Sequence, residues 1–136
     1  MLEQTVFKLF DVLPMGLKKR LAPSYFEISE FVEGAARQIP ENALVLDAGA
    51  GQCQHRPLFK RHRYIAVDAA LGDINWNYSK LSAIGDLVRM PFREHTFDAI
   101  ISTQVLEHIY EPGRFFSERI RILKPRGRLF LSAPQG

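Results

Sequence analysis

The chain has 136 residues, of which 46% are hydrophobic and 24% charged, and its formal net charge is +3. This size and composition are typical of one soluble domain, and no apolar run is long enough for an integral membrane segment. The basic residues are spread along the chain except at residues 18–20, which argues against a nucleic-acid-binding surface. Because Cys53 is the only cysteine, an intrachain disulfide is excluded and a cytoplasmic location is expected.

Two helices are predicted before residue 43. Apolar residues at helical spacing indicate a short first helix, which Pro14 and Gly16 end. The sequence "SYFE" at residues 24–27 has the form of a capping box and predicts the start of a second helix, which ends before Pro40. The apolar face of this second helix contains Ile28, Phe31, Val32, Ala35, Ala36 and Ile39.

Short, continuous apolar runs replace the helical spacing after Pro40. Such runs are typical of parallel strands that are covered on both faces of a sheet. The predicted strands are residues 44–46, 64–67, 99–102 and 129–133, with a weaker candidate nearer a sheet edge at residues 81–84.

The segments between these strands include two predicted crossover helices. Residues 52–61 are predicted to form one helix, and residues 111–127 contain another that begins at Pro112 and ends at Pro125 and Gly127. Residues 68–80 are rich in Asn, Gly and Asp and are predicted to be mostly loop. Alternating strands and helices predict a doubly wound α/β sheet, whose ligand lies beyond the carboxyl ends of the strands.

The sequence "DAGAG" at residues 47–51 follows the first predicted strand. Without a Cβ, Gly49 and Gly51 let the backbone approach a ligand closely. A dinucleotide fingerprint needs a third glycine where Gln54 stands, so a nicotinamide oxidoreductase is disfavoured. The charge of Asp47 would repel a pyrophosphate but suits an amine or a sulfonium. A tight turn without a ligand is the alternative interpretation.

Two further acids follow predicted strands. Asp68 lies about 20 residues past the glycines, where a carboxylate can accept both hydroxyls of a ribose. Asp86 follows the weak strand and could accept a hydrogen bond from the exocyclic amine of an adenine. The Leu87 backbone amide could donate a hydrogen bond to the adenine ring. Any one of these acids could be a solvated loop residue, but three acids at three strand ends favour one shared site.

Four segments together resemble a known family: "VLDAGAGQC", "IAVDAA", "GDLVRMPFREHTFDAIISTQVLEHIYEP" and "ILKPRGRLFLSAP". In order and spacing they are similar to the motifs of class I S-adenosylmethionine-dependent methyltransferases, particularly the methyltransferase-11-like group. The resemblance covers residues 43–134. It implies a Rossmann-like, mostly parallel five-stranded sheet of order 3-2-1-4-5 with N-terminal helices, and S-adenosyl-L-methionine as the cofactor.

The resemblance also implies which residues bind the cofactor. The methionine part would lie among the residues of the glycine turn, the ribose beside the second strand, and the adenine beside the third. In that order the implied residues are Asp47, Ala48, Gly49, Ala50 and Gly51, then Asp68 and Ala69, then Asp86 and Leu87, with Gln104 beneath the sulfonium. Family members often have a third glycine where this chain has Cys53, which makes cofactor affinity harder to predict.

His108 is the candidate general base, because the reference pKa of histidine lies near neutrality. A structural role at the start of the following helix is the alternative. No metal site is expected, because Gln104 stands where similar metal-dependent enzymes carry Glu. His55, His62 and His95 are expected at the surface, since none has a partner at ligand spacing.

The predicted domains are an N-terminal helical cap at residues 1–42 and a cofactor-binding core at residues 43–136. The core is expected to lack the family's C-terminal hairpin, so that an exposed fifth-strand edge could form a homo-oligomer. The predicted function is an S-adenosylmethionine-dependent methyltransferase acting on a small molecule, without nucleic acid. A non-catalytic cofactor-binding or scaffold domain is the alternative.

Overall fold

The computed structural model describes residues 12–21 and 23–133 of the chain. These belong to two compact units, residues 1–31 and 32–136. Helix α1, Met15–Leu21, lies in the first unit, and helix α2, Pro23–Gln38, crosses the division. The helix predicted before Pro14 lies outside the described residues, and the boundary between residues 42 and 43 stays a prediction.

The predicted start of α2 at the capping box is wrong by two residues. The helix begins at Pro23, so Ser24 lies in the first turn and not at the cap. Proline suits this position because the first helical amide has no intrahelical acceptor. Within the second unit, the predicted apolar face is confirmed, since Val32, Ala35 and Ile39 are buried.

Five parallel strands form one sheet in the order β3-β2-β1-β4-β5, which confirms the predicted Rossmann-like topology. The strands are β1 Leu44–Ala48, β2 Arg63–Asp68, β3 Ala83–Ile84, β4 Phe97–Thr103 and β5 Leu123–Ser132. Because all five are parallel, their carboxyl ends meet at one edge of the sheet. The strand order reverses between β1 and β4, which is where such sheets bind ligands.

The central strands are apolar because both faces of the sheet are covered. Leu46, Val67 and Ile100 are fully buried in one cluster with Phe97 and Ile122. The continuous apolar runs of the sequence therefore predicted strands correctly. In the described part of the chain, no helix is both long and apolar enough to cross a membrane.

The first predicted crossover helix, at residues 52–61, is wrong. This segment forms turns and a single 3₁₀ helix, Arg56–Phe59. Cys53 has a left-handed φ of 60°, which no α-helix accommodates, and Pro57 removes an amide donor. Residues 69–80 consist of turns and irregular backbone, as predicted.

Helix α3 is Pro112–Ile122, and its start at Pro112 is confirmed. Its predicted end at Pro125 and Gly127 is wrong, because β5 begins directly at Leu123. Leu123 pairs with Phe97, and Arg128 pairs with Ala99. The pairing register therefore shifts between these two pairs, and the residues between Leu123 and Arg128 form an irregularity in the strand.

Candidate functional site

The glycine turn after β1 is built against three other segments. The amides of Gly49 and Ala50 both donate to the carbonyl of Val67 in β2, at 2.8 and 3.1 Å. Gly49 has a φ of 89°, and a Cβ there would overlap the side chain of Val105 and lie 3.6 Å from Leu87 Cδ1. The turn after β1 therefore packs between the loop after β3 and the segment after β4.

Asp68 joins the end of β2 to this turn. One carboxylate oxygen accepts the Gly51 amide and the other accepts the Ala70 amide, both at 2.8 Å. Each oxygen keeps a further lone pair for a ligand. The following residue, Ala69, is half-buried, whereas Ala48 and Ala50 of the turn are buried.

Asp47 is a buried acid with one satisfied oxygen. Its Oδ2 accepts a hydrogen bond from the Tyr64 hydroxyl at 2.5 Å, and its Oδ1 is buried without a partner among the described residues. Burial raises the pKa of Asp47 to about 6; the charge of Asp68 adds to this and the Tyr64 hydrogen bond opposes it. Burial and the charge of Asp47 raise the pKa of Tyr64 above its usual range.

The sequence did not indicate Tyr64 as a site residue. Asp47 is in register with Ala66, and Tyr64 lies two residues before Ala66 on the same face of β2. The hydrogen bond is therefore a diagonal cross-strand contact. The pairing register was the missing information, because the sequence alone does not say which residues of β1 and β2 are neighbours.

The loop after β3 presents Asp86 and Leu87 differently. Asp86 is exposed, and its carboxylate accepts the Val88 amide at 3.0 Å, which fixes the turn. Leu87 is half-buried beside Gly49, and its carbonyl accepts a hydrogen bond from Arg119. Gly85, which precedes Asp86, donates its amide to the Asp68 carbonyl at 3.0 Å, so these two predicted positions lie on adjacent strand ends.

The segment after β4 carries Gln104 and His108. Gln104 is exposed with a left-handed φ of 53°, and its amide donates to the Ser132 carbonyl at 3.0 Å. The 3₁₀ helix Leu106–His108 follows. The His108 side chain is 78% exposed and its Nε2 lies 3.9 Å from a Glu107 carboxylate oxygen. Histidine is the side chain that most often acts as a general base in enzymes.

The loop of residues 69–80 covers the glycine turn. A Cβ at Gly51 would lie 3.5 Å from the Trp76 ring, and the Asn77 amide donates to the Gln52 side chain at 3.0 Å. The Tyr78 hydroxyl accepts the Gly72 amide and holds the loop from within. Trp76 is 47% exposed, so the indole has free surface beside Gly51.

The surface expectation is wrong for His55, which is buried, and His62 is half-buried with its Nε2 3.0 Å from the Ile39 carbonyl. His95 is exposed as expected. Burial lowers the pKa of His55. His55 lies within the irregular segment 52–61 and is enclosed by the packing of that segment. Because the segment was predicted as a helix, the burial of His55 was not predicted.

A parallel sheet of order 3-2-1-4-5, with a glycine turn and acids at its carboxyl ends, defines a Rossmann-like ligand-binding domain. The sequence model of the methyltransferase domain family matches residues 46–131, and the chain belongs to that family.

Three relatives show the range of named activities. A probable S-adenosylmethionine-dependent methyltransferase of Mycolicibacterium smegmatis is 29% identical over 96 residues, covering 66% of this chain and 37% of the relative. A malonyl-[acyl-carrier protein] O-methyltransferase of Hahella chejuensis is 27% identical over 131 residues, covering 90% of this chain and 44% of the relative. A tRNA (carboxymethyluridine(34)-5-O)-methyltransferase of Arabidopsis thaliana is 25% identical over 132 residues, covering 93% and 32%. The chain thus spans less than half of each relative.

Solved structures support the same fold. The putative methyltransferase in a complex with the Haloferax volcanii Trm112 methyltransferase activator matches with a TM-score of 0.63 and 21% identity. The match covers 88% of this chain and 57% of that chain. At this identity, the likeness shows the fold alone.

Proposed function

We propose that the chain binds S-adenosyl-L-methionine and transfers its methyl group to a small-molecule acceptor. The observation that carries the proposal is the hydrogen bond between the Asp68 carboxylate and the Gly51 amide, beside the packing of Gly49 against Leu87 and Val105. Groups that follow β1, β2, β3 and β4 thereby meet at one edge of the sheet. Family membership supports the methyltransferase activity.

The residues present fit a cationic adenosyl ligand. The buried Asp47 Oδ1 lacks a hydrogen-bond partner among the described residues and places negative charge beside the turn. A pyrophosphate would suit this acidic turn poorly, which favours a donor that carries a sulfonium.

Each part of the cofactor has proposed partners. Residues 47–51 would hold the methionine part, Asp68 and Ala69 the ribose, and Asp86 and Leu87 the adenine, while Gln104 would lie beneath the sulfonium. When bound, S-adenosylmethionine supplies a methyl group on a positively charged sulfur. The chain's part is to orient the acceptor in line with that methyl, and orientation alone contributes about 7–11 kcal/mol in favourable cases.

His108 is the proposed proton acceptor where the acceptor atom carries a proton. The 78% exposure of the His108 side chain supports this role, because the ring can reach a bound acceptor. His108 is a proposed proton acceptor and not a proposed cofactor-binding residue. A His108→Gln variant is therefore expected to slow the reaction without weakening cofactor binding.

The acceptor class is proposed from the resemblance to small-molecule methyltransferases and from the malonyl group named for the Hahella relative. The absence of nucleic acid among the partners stays a prediction, since the Arabidopsis relative is named for tRNA. Labelled S-adenosylmethionine, offered with either a small-molecule extract or total tRNA, distinguishes the two. Label in the small-molecule fraction supports the proposal, and label in tRNA alone contradicts it.

Calorimetric titration with S-adenosylhomocysteine tests the binding step separately. A folded protein that does not bind would overturn the proposed function. Binding without transfer to either acceptor class would favour the alternative of a non-catalytic cofactor-binding or scaffold domain.

A further inference from the structure

Arg119 on helix α3 is fully buried. Burial lowers the pKa of its guanidinium to about 10, so the side chain is cationic at neutral pH. Its Cζ lies 3.3 Å from the centroid of the Phe115 ring. Removing such a charge from water is costly unless its donors are satisfied by well-placed acceptors.

The acceptors of Arg119 connect helix α3 to the candidate cofactor site. Its Nη1 donates to the Leu87 carbonyl at 3.1 Å and to the Phe115 carbonyl at 3.0 Å. Its Nη2 donates to the Ser102 hydroxyl at 3.2 Å, and that hydroxyl donates to the Ala48 carbonyl at 2.8 Å. One side chain thus joins the end of β1, the loop after β3 and strand β4.

The glycine turn and the loop after β3, which Arg119 connects, are in contact at Gly49. Ala48 immediately precedes Gly49 in the turn, and Leu87 Cδ1 lies 3.6 Å from the Cβ position of Gly49. The hydrogen bond to the Leu87 carbonyl holds the peptide unit between Leu87 and Val88, and the Val88 amide of this unit donates to the Asp86 carboxylate. The orientation of the Asp86 carboxylate therefore depends on a contact from the interior of the domain.

An apolar side chain of similar size would fill the same space, and such replacements of buried ions are often neutral or stabilising. What an apolar side chain cannot do is hold the Leu87 carbonyl and the Ser102 hydroxyl at a fixed separation. The planar guanidinium has donors in a rigid arrangement that suits this task. The Nε of Arg119 is buried without a partner among the described residues, so the guanidinium is not fully satisfied and stability alone does not explain an arginine here.

We propose that Arg119 is a positioning residue that sets the adenine side of the cofactor site, through the Leu87 carbonyl and the Ser102–Ala48 hydrogen bond. The inference rests on the proposed function. Recognition of the adenine amine would then depend on a side chain that lies in the interior of the domain and does not contact the cofactor.

The test compares two ligands that differ at the adenine amine, S-adenosylhomocysteine and S-inosylhomocysteine. The wild type is expected to bind the adenosyl ligand at least about tenfold more tightly than the inosyl ligand. The inosyl ligand lacks the amine that would donate a hydrogen bond to Asp86. In Arg119→Met, affinity for the adenosyl ligand is expected to fall about tenfold, with less than about a twofold change for the inosyl ligand. A merely structural loss would weaken both ligands equally.

Arg121 provides the matched control. It lies on the same helix and also bridges several acceptors, donating to the Phe92 and Met90 carbonyls and pairing with Glu118. None of these groups is a predicted cofactor residue. Arg121→Met is therefore expected to retain the preference for the adenosyl ligand. If circular dichroism shows that Arg119→Met is unfolded, Arg119→Lys takes its place, because lysine keeps the charge but lacks the planar fork.

The outcomes separate the two proposals. A wild type that binds neither ligand overturns the proposed function and this inference together. A wild type that binds, combined with an unchanged preference in the folded Arg119 variant, overturns the role of Arg119 alone. The same conclusion follows if the wild type has no preference, or if Arg121→Met loses it to the same extent.

Discussion

Asp47 shows how a residue of the candidate site affects the stability of the fold. The sequence predicts its position at the end of the first strand, and the structure adds that it is 1% exposed and that one oxygen has no partner in the described part of the chain. Burying an ionised carboxylate in this way is unfavourable, and the raised pKa of Asp47 expresses that cost. The charge is retained at a position where a cationic ligand would compensate it.

This raised pKa predicts a specific pH dependence of stability. The unfolded chain releases the Asp47 proton at its ordinary pKa of 3.8, but the folded chain holds it until about 6. The contribution of Asp47 to the free energy of unfolding therefore falls as the pH rises through this window, by about 2 kcal/mol between about pH 4.5 and about pH 7.5. Urea denaturation at both values, with Asp47→Asn subtracted, measures it. The subtraction also removes the opposite contribution of His55. Equal pH dependence in wild type and variant would contradict the assignment.

The close approach of Gly49 to Val105 predicts a cost for any side chain at this position. A Gly49→Ala variant is expected to lose about 2–4 kcal/mol of unfolding free energy, because its φ is left-handed and the new methyl would overlap Val105. The control is Gly34→Ala in helix α2, where nothing lies within 4 Å of the new Cβ. That variant is expected to gain about 0.5–1 kcal/mol. Denaturant titration checks both, and similar effects at the two glycines would refute the predicted close approach.

Continuous apolar runs predicted strands β1, β2 and β4, since a strand buried on both faces has few positions for polar residues. The run at residues 129–133 covers only the second half of β5, and β3 was the weaker candidate at residues 81–84. The crossover at residues 52–61 was less accessible, because the left-handed backbone of Cys53 depends on packing and not on local propensity. The resemblance to the methyltransferase family implied a glycine at the position of Cys53, and that implication pointed to this conformation. The direct passage from α3 into β5 was missed because Pro125 and Gly127 were read as the end of the helix.

The loop of residues 69–80 gives a prediction at this scale. Trp76 is the only tryptophan of the chain and lies over Gly51 with about half of its surface exposed. A ligand held by the glycine turn should therefore shield the indole and shift its emission to shorter wavelength. Fluorescence during titration with S-adenosylhomocysteine measures this shift, and Trp76→Phe should abolish the signal. Binding by calorimetry with unchanged emission would show that the loop does not cover the ligand.

For the whole molecule, the sheet topology explains why the candidate site was largely predictable. Parallel strands bring their carboxyl ends to one edge, so correct strand assignments were enough to assign Asp47, Asp68 and Asp86 to that edge. Tyr64 and Arg119 required the pairing register and the packing of α3. Association of two copies through β5 stays a prediction, which light scattering over a range of concentrations tests.

The central claim is that the strand ends form a binding site for an adenosyl cofactor. Its most direct test is calorimetric titration of the wild type, Asp68→Asn and Asp73→Asn with S-adenosylhomocysteine. Asp73 is the matched control, because it lies on the following loop and also accepts a backbone amide, that of Asn75. The wild type and Asp73→Asn are expected to bind equally, whereas Asp68→Asn should bind at least about tenfold more weakly. Equal binding by all three proteins, or no binding by the folded wild type, would contradict the account.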